Sequence, residues 1–300
     1  MKLNRFAKFA WTVLVLNLFV ILWGAFVRAS GSGAGCGSHW PLCNGEIIPL
    51  APRIQTIVEF VHRISSGTAF IFVIVMVVWA WRAYPAGHRV RKGAVACLSG
   101  MIAESLAGAG LVLFQWTALD VSFGRIIIMP VHLIITFTLL AALSLTAWWA
   151  SGGANVQVQG TNAWLLGIGL LATLLMGMAG AVTALGDTVL PVASLTPGVY
   201  ANLPTSAEVL VGLRVWHPFI AIAVAMYILF VLNKLRESHS HPFVARLSMV
   251  LVALFVVELG AGVVNIWLAV PIWMQLTHLL LANLTWITMI LLSAATLQET

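Results

Sequence analysis

Ile57-Val58-Glu59-Phe60-Val61-His62-Arg63 opens a predominantly apolar run that continues to Trp81. About 20 apolar residues cross a bilayer as a helix, so this run is long enough to span one. It nevertheless carries three ionisable groups within five residues, Glu59, His62 and Arg63, close to one end. Residues i and i+3 share a helix face, which predicts that Glu59 and His62 project the same way. Ionisable residues inside membrane spans are expensive, and they mark functional sites by default.

The rest of the chain has the same apolar character. Of 300 residues, 61% are hydrophobic and 8% charged, against about 25% charged in soluble domains. The fold class is therefore all-α integral membrane. Eight runs have the length of a crossing, near residues 8–28, 57–82, 93–114, 128–150, 163–185, 208–233, 245–267 and 273–296. The first has no convincing cleavage site and runs into Arg28, so it is a true span rather than a signal peptide. The net charge of +6 would suit nucleic acid, but the basic residues sit in short loops between spans. There they act as topology signals, and nucleic acid is excluded as a partner. All the lysines (Lys2, Lys8, Lys92, Lys234), with Arg5, Arg82, Arg89, Arg91, Arg236 and Arg246, fall on one side. Arg28, Arg53, Arg63, Arg125 and Arg214 fall on the other. That bias places both termini in the cytoplasm.

The longest loop, residues 29–56, lies on the outer side and begins with closely spaced glycines. Its Cys36 and Cys43 face an oxidising compartment and are expected to form a disulfide. A metal site built from Cys36, His39 and Cys43 is the rival, although its spacing matches no common zinc pattern. Cys97, near the cytoplasmic end of the third span, reads as a small buried hydrophobe.

The second half repeats the plan of the first. Gly180-Ala181-Val182 echoes Gly24-Ala25-Phe26-Val27, and Glu258 with Gly260 and Gly262 echoes Glu104 with Gly108 and Gly110. Trp216-His217-Pro218 and Thr277-His278-Leu279 echo Pro130-Val131-His132-Leu133. Pro130 is expected in a first helical turn, where its missing N–H costs nothing. Four spans followed by four in the same order predict two pseudosymmetric four-helix bundles, residues 1–150 and 151–300, related by an axis along the membrane normal.

Four of the eight histidines are intramembrane: His62, His132, His217 and His278, one on each even-numbered span. By these boundaries all four sit near the outer ends. Two facing imidazoles per bundle suit axial ligation of a haem iron inside each bundle core. Zinc or copper would want three or four ligands. No Cys-x-x-Cys-His motif is present, so the haem would be held non-covalently. Glu59 lies one turn before His62, whereas Arg214 holds that place before His217, so the two sites should differ chemically. Arg63 and Arg214 are candidates for pairing with haem propionates. The alternative for each is an arginine reaching to lipid headgroups. Glu104 and Glu258, both in mid-span, are expected to hydrogen-bond between helices.

With these residues in hand, the sequence resembles the haem A synthases of bacteria and mitochondria. The resemblance covers nearly the whole chain. It is most specific in Gly31–Cys43, in Glu59-Phe60-Val61-His62-Arg63 with Ser66-Gly67, and in His132, His217 and His278. It implies oxidation of a ring methyl of haem O to a formyl group, giving haem A for cytochrome c oxidase. By the same resemblance His62 and His132 would bind the substrate porphyrin in the N-terminal bundle. His217 and His278 would ligate a resident haem b in the C-terminal bundle. Glu59 would be the acid near the reacting methyl, and Cys36 and Cys43 the family's loop pair. Some members carry a second cysteine pair in the later outer loop, and residues 186–207 hold none. The expected partners are haem O, a haem O synthase, the cytochrome c oxidase assembly route and the lipid bilayer of a bacterial plasma membrane, with a homo-oligomer compatible with the sequence. Two other readings stand beside this one. A b-type cytochrome passing electrons from quinol explains the histidines but neither the one-sided Glu59 nor the glycine-cysteine loop. A transporter suits the repeat, but the chain lacks an acidic ion path.

Overall fold

The structure, a computed structural model, describes residues 3–191, 205–238 and 241–298. Lys2, His239 and most of the 186–207 loop lie outside these. The apolar runs are eight helices: α1 Arg5–Ala29, α2 Ile54–Ala83, α3 Arg89–Leu113, α4 Phe123–Ala150, α5 Gly160–Val189, α6 Thr205–Ser238, α7 Pro242–Trp267 and α8 Ile272–Thr296. All eight are long and apolar enough to cross a membrane.

Several helices begin earlier than their apolar runs, because polar caps satisfy the first N–H groups outside the apolar stretch. Asn4 Oδ1 accepts from the Ala7 N–H at 2.7 Å, ahead of α1. Ser122 caps α4 through the Arg125 N–H, and His88 and His241 cap α3 and α7. The early start of α4 overturns one expectation: Pro130 lies inside the helix rather than in its first turn. Its ring leaves the Ile126 carbonyl without an intrahelical donor, two residues before His132. Pro218 does the same inside α6, next to His217.

Helices α1 to α4 pack on one another, and so do α5 to α8, giving two four-helix bundles. The first core centres on Met76, Leu140 and Leu143, and the second on Leu235, Leu251 and Leu292. The seam between the bundles is made by α1, α4, α5 and α8. At its centre Phe137 and Trp286 stack with ring centroids 4.9 Å apart, and Trp286 Nε1 donates to the Phe137 carbonyl at 2.7 Å. Toward one end Arg28 of α1 donates to the Ala184 carbonyl and Thr188 hydroxyl of α5 and to Gln275 Oε1 of α8. Helix α8 is the most enclosed: 67% of its apolar window is buried, against at most 33% in any other. The remaining faces expose residues such as Ile71, Leu106, Leu171 and Val256, as lipid contact requires.

One end of the molecule gathers the start of α1 with the ends of α4 and α8. Asn4 Nδ2 donates to the Ala150 carbonyl at 3.2 Å, and Val156 pairs with Gln298. The opposite end carries the loop of residues 30–53 and the short α3–α4 and α7–α8 connections. There the buried Arg125 donates to the carbonyls of Thr117, Ala118 and Asp120, closing the α3–α4 turn.

Candidate paired-imidazole sites

Each bundle brings its two histidines together near the end that carries the cysteine loop. His62 on α2 and His132 on α4 are close enough to interact electrostatically, as are His217 on α6 and His278 on α8. All four side chains are half-buried. Space for the rings is made by glycine on a neighbouring helix. A Cβ on Gly24 of α1 would stand 2.9 Å from His62 Cε1, and one on Gly180 of α5 would stand 3.0 Å from His217 Cε1. The Gly24/Gly180 echo in the sequence is thus a steric requirement of the imidazoles.

The donor set fits haem. Two imidazoles per bundle match the two axial positions of an iron porphyrin. Among the described residues no group of three or more His, Cys, Asp or Glu side chains is placed to hold a bare metal ion. The Nδ1 atoms of His62, His132, His217 and His278 are all buried, with no hydrogen bond among the described residues, which leaves the Nε2 atoms as the more open face of each ring.

The charges around the two sites differ. In the first bundle Glu59 is 3% exposed. Its Oε1 accepts from Arg63 Nη2 at 2.6 Å and Nε at 3.2 Å, and its Oε2 accepts from the Cys36 N–H at 2.9 Å. Arg63 Nη1 donates to the carbonyls of His39 and Leu42, both at 2.6 Å. Glu59 and Arg63 together therefore seat the loop on α2. The loop comes this close because residue 35 is glycine: a Cβ there would stand 2.4 Å from the Gln55 carbonyl oxygen. Cys36 and Cys43 are joined as a disulfide and both are buried, so neither thiolate is free for a metal.

In the second bundle Arg214 occupies the place of Glu59, and its Nε lies 2.8 Å from Asp187 Oδ1 on α5. It also donates to the Leu190 carbonyl at 2.9 Å. The sequence reading missed Asp187, although its position seven residues past Gly180 places it on the histidine-facing side, two turns on.

The mid-span acids do bond between helices. The Thr136 hydroxyl of α4 donates to Glu104 Oε1, and the Thr285 hydroxyl of α8 donates to Glu258 Oε2 at 2.9 Å. A further contact was not anticipated from the sequence: Glu104 Oε2 stands 2.8 Å from His132 Nδ1. The carboxylate lying against an imidazole is thus Glu104, while both oxygens of Glu59 turn to Arg63 and the loop. Cys97 is buried beside Thr146, as expected of a small hydrophobe.

The sequence profile of a family described as cytochrome oxidase assembly protein matches residues 7–290. A Thermus thermophilus protein named protoheme IX farnesyltransferase is 48% identical over 298 residues, which is 99% of this chain and 49% of that protein. An Alkalihalophilus pseudofirmus heme A synthase is 40% identical over 126 residues, covering 41% of this chain and 42% of its own. A Shouchella clausii heme A synthase is 43% identical over 97 residues, 32% of each chain. The chain thus spans about half the length of the Thermus relative, and it matches the synthases over parts of their length.

Proposed function

The chain belongs to the cytochrome oxidase assembly protein family, and from that premise we propose that it is a haem A synthase, an oxidoreductase that converts the ring methyl of haem O to the formyl group of haem A. It is a multi-pass bacterial membrane protein, with eight spans and bacterial relatives. The observation that carries the proposal is the two-by-two set of histidines in a chain matched by that family over residues 7–290.

His62 and His132 would hold the substrate porphyrin between α2 and α4, in the space left by Gly24. His217 and His278 would hold a resident haem b beside Gly180. That haem supplies one-electron chemistry when bound. Methyl to alcohol and alcohol to hydrated aldehyde would each take up a water and release an electron pair and protons, the electrons passing to an external one-electron acceptor, and loss of water from the hydrate would give the formyl group. Glu59, one turn before His62, would stabilise positive charge developing on the ring, or accept a proton from the attacking water, by sharing the oxygens it now gives to Arg63 and the Cys36 N–H. Its clamp by Arg63 and the Cys36 N–H holds it in place and couples it to the loop. Arg63 and Arg214 would be the cations to meet porphyrin propionates, each by sharing its present carboxylate or carbonyl partners.

The farnesyltransferase name belongs to a protein of twice the matched length. Prenyl diphosphates are handled through divalent cations held by clustered carboxylates. This chain has two aspartates, Asp120 and Asp187, far apart in the sequence, and Asp187 is paired with Arg214. We assign that name to the half of the relative with no counterpart here. One polypeptide joining such an activity to a chain like this one supports a haem O synthase as partner, with the product destined for cytochrome c oxidase. Co-expression with a haem O synthase in a bacterium lacking haem A, followed by porphyrin extraction and mass spectrometry, tests the reading. Haem A is the expected product. Haem O alone would favour a b-type cytochrome that leaves its porphyrin unmodified.

A further inference from the structure

We propose that Glu104 is a positioning residue for the first porphyrin site: its carboxylate fixes the His132 ring and makes it a more electron-rich iron ligand than either imidazole of the second site. This rests on the reading that the paired imidazoles hold haem iron.

Glu104 Oε2 lies 2.8 Å from His132 Nδ1, a close charge contact rather than an aligned hydrogen bond, and neither atom has a hydrogen bond among the described residues. The other oxygen, Oε1, is held by the Thr136 hydroxyl, which also bonds back to the His132 carbonyl at 2.9 Å. The carboxylate is therefore braced against the same helical turn that carries the imidazole. The two contacting atoms are buried, although the His132 side chain is 33% exposed and that of Glu104 14%. A carboxylate against Nδ1 selects the tautomer with its proton on Nδ1 and leaves the Nε2 lone pair for a metal. Such outer-shell carboxylates orient a ligating histidine and raise its basicity. A more basic ligand stabilises ferric over ferrous iron, which lowers the reduction potential of that site.

The second bundle has the same acid in the same repeat position, yet it misses the imidazole. Glu258 takes the hydroxyl of Thr285, seven residues past His278, whereas Thr136 is four residues past His132. At 1.5 Å per residue, Glu258 meets its neighbour about one turn deeper. The position four residues past His278 is Ala282, which offers a carboxylate nothing. His278 therefore faces the neutral Glu258 backbone rather than its carboxylate, and like His132 its Nδ1 makes no aligned hydrogen bond among the described residues. A purely structural role, the interhelical bond to threonine, is common to both glutamates. It accounts for Oε1 of Glu104 and leaves the Oε2 contact unexplained.

The test uses the full-length purified protein, with ferric protohaem added in detergent wherever the first site is empty. Glu104→Gln keeps the shape and removes the charge. The first-site haem should then titrate at a higher potential and its low-spin ferric EPR g values should move, while the second haem keeps its wild-type values. Glu258→Gln should leave both haems unchanged. Glu104→Asp keeps the charge and shortens the reach, so it should shift the first haem in the same direction by less; it serves where the glutamine variant does not assemble. Wild-type potential and g values in the Glu104 variants with first-site haem bound would overturn the proposal, as would equal shifts in both haems. A wild-type protein that binds no haem, or keeps both haem spectra in His62→Ala and His132→Ala, sinks the site reading itself and is told apart from the first result by that control.

Discussion

Three residues before its α2 histidine the N-terminal bundle carries Glu59, and three residues before its α6 histidine the C-terminal bundle carries Arg214. Each charge is paired, but through different parts of the fold. Glu59 is held by Arg63 of its own helix and by the loop N–H of Cys36, so one bundle's charge is tied to a disulfide-closed lid of backbone. Arg214 is held by Asp187 of the adjacent helix, so the other bundle's charge stays within the helices. The imidazole partners diverge as well, since Glu104 reaches His132 while Glu258 reaches only Thr285. The two bundles share one arrangement of helices, and each has two acids near its histidines, but only in the first does a carboxylate stand against an imidazole. On the proposed reading, a substrate that must be admitted, oxidised and released needs an opening with chemistry beside it. A resident cofactor needs neither.

The comparison is broken most severely at the histidines. His217→Ala or His278→Ala should abolish the resident low-spin haem signal, whereas His62→Ala or His132→Ala should leave that signal and abolish haem A. Optical spectra of the four purified variants read this directly, and loss of the same signal in all four would erase the distinction between bundles. Next comes Glu59. Glu59→Ala should lower haem A production about 100-fold, the scale of a lost acid–base or charge-stabilising group, with the resident haem untouched. Wild-type output would move the chemistry elsewhere. The loop is third. Cys36→Ser should cost about 2–3 kcal/mol of loop stability, the scale for closing so short a loop. Haem A output should fall while the second haem stays bound, because the Cys36 N–H to Glu59 depends on the loop's seat. Proteolysis of the 30–53 segment under oxidising and reducing conditions checks the first part. The mildest change is Trp286→Phe at the seam. It removes one donor and keeps the stacking, for a loss of about 1 kcal/mol in thermal unfolding and no change in either haem spectrum.

Much of this was legible in the sequence. Eight apolar runs, their order and the one-per-even-helix histidines follow from hydropathy and spacing alone, and the helices differ from the runs mainly at their ends. Those ends moved because Asn4, Ser122, His88 and His241 cap outside the apolar stretch, which shifted Pro130 from a first turn to a helix interior. The contacts that give each site its charge were less legible. That Glu59 shares a face with His62 follows from helical period, but period does not fix which way a flexible carboxylate turns, and Arg63 with the loop N–H drew it away. The Glu104–His132 contact joins residues on different helices, and it depends on a relative helix shift of one turn that pattern does not encode. One signal was present: threonine four residues past the histidine in α4 and seven past it in α8.

The seam also bears on how the chain is made. Arg28 and Phe137, from the first four helices, find their partners Gln275 and Trp286 on the eighth. A nascent chain released into the bilayer helix by helix therefore carries a guanidinium without its final acceptor until seven spans are in place. The halves cannot mature independently and dock later at no cost. Arg28 gains the Ala184 carbonyl and Thr188 hydroxyl when α5 arrives and Gln275 only with α8, so whatever shields the guanidinium must let go in stages, and the arrival of α8 completes the lock between the bundles.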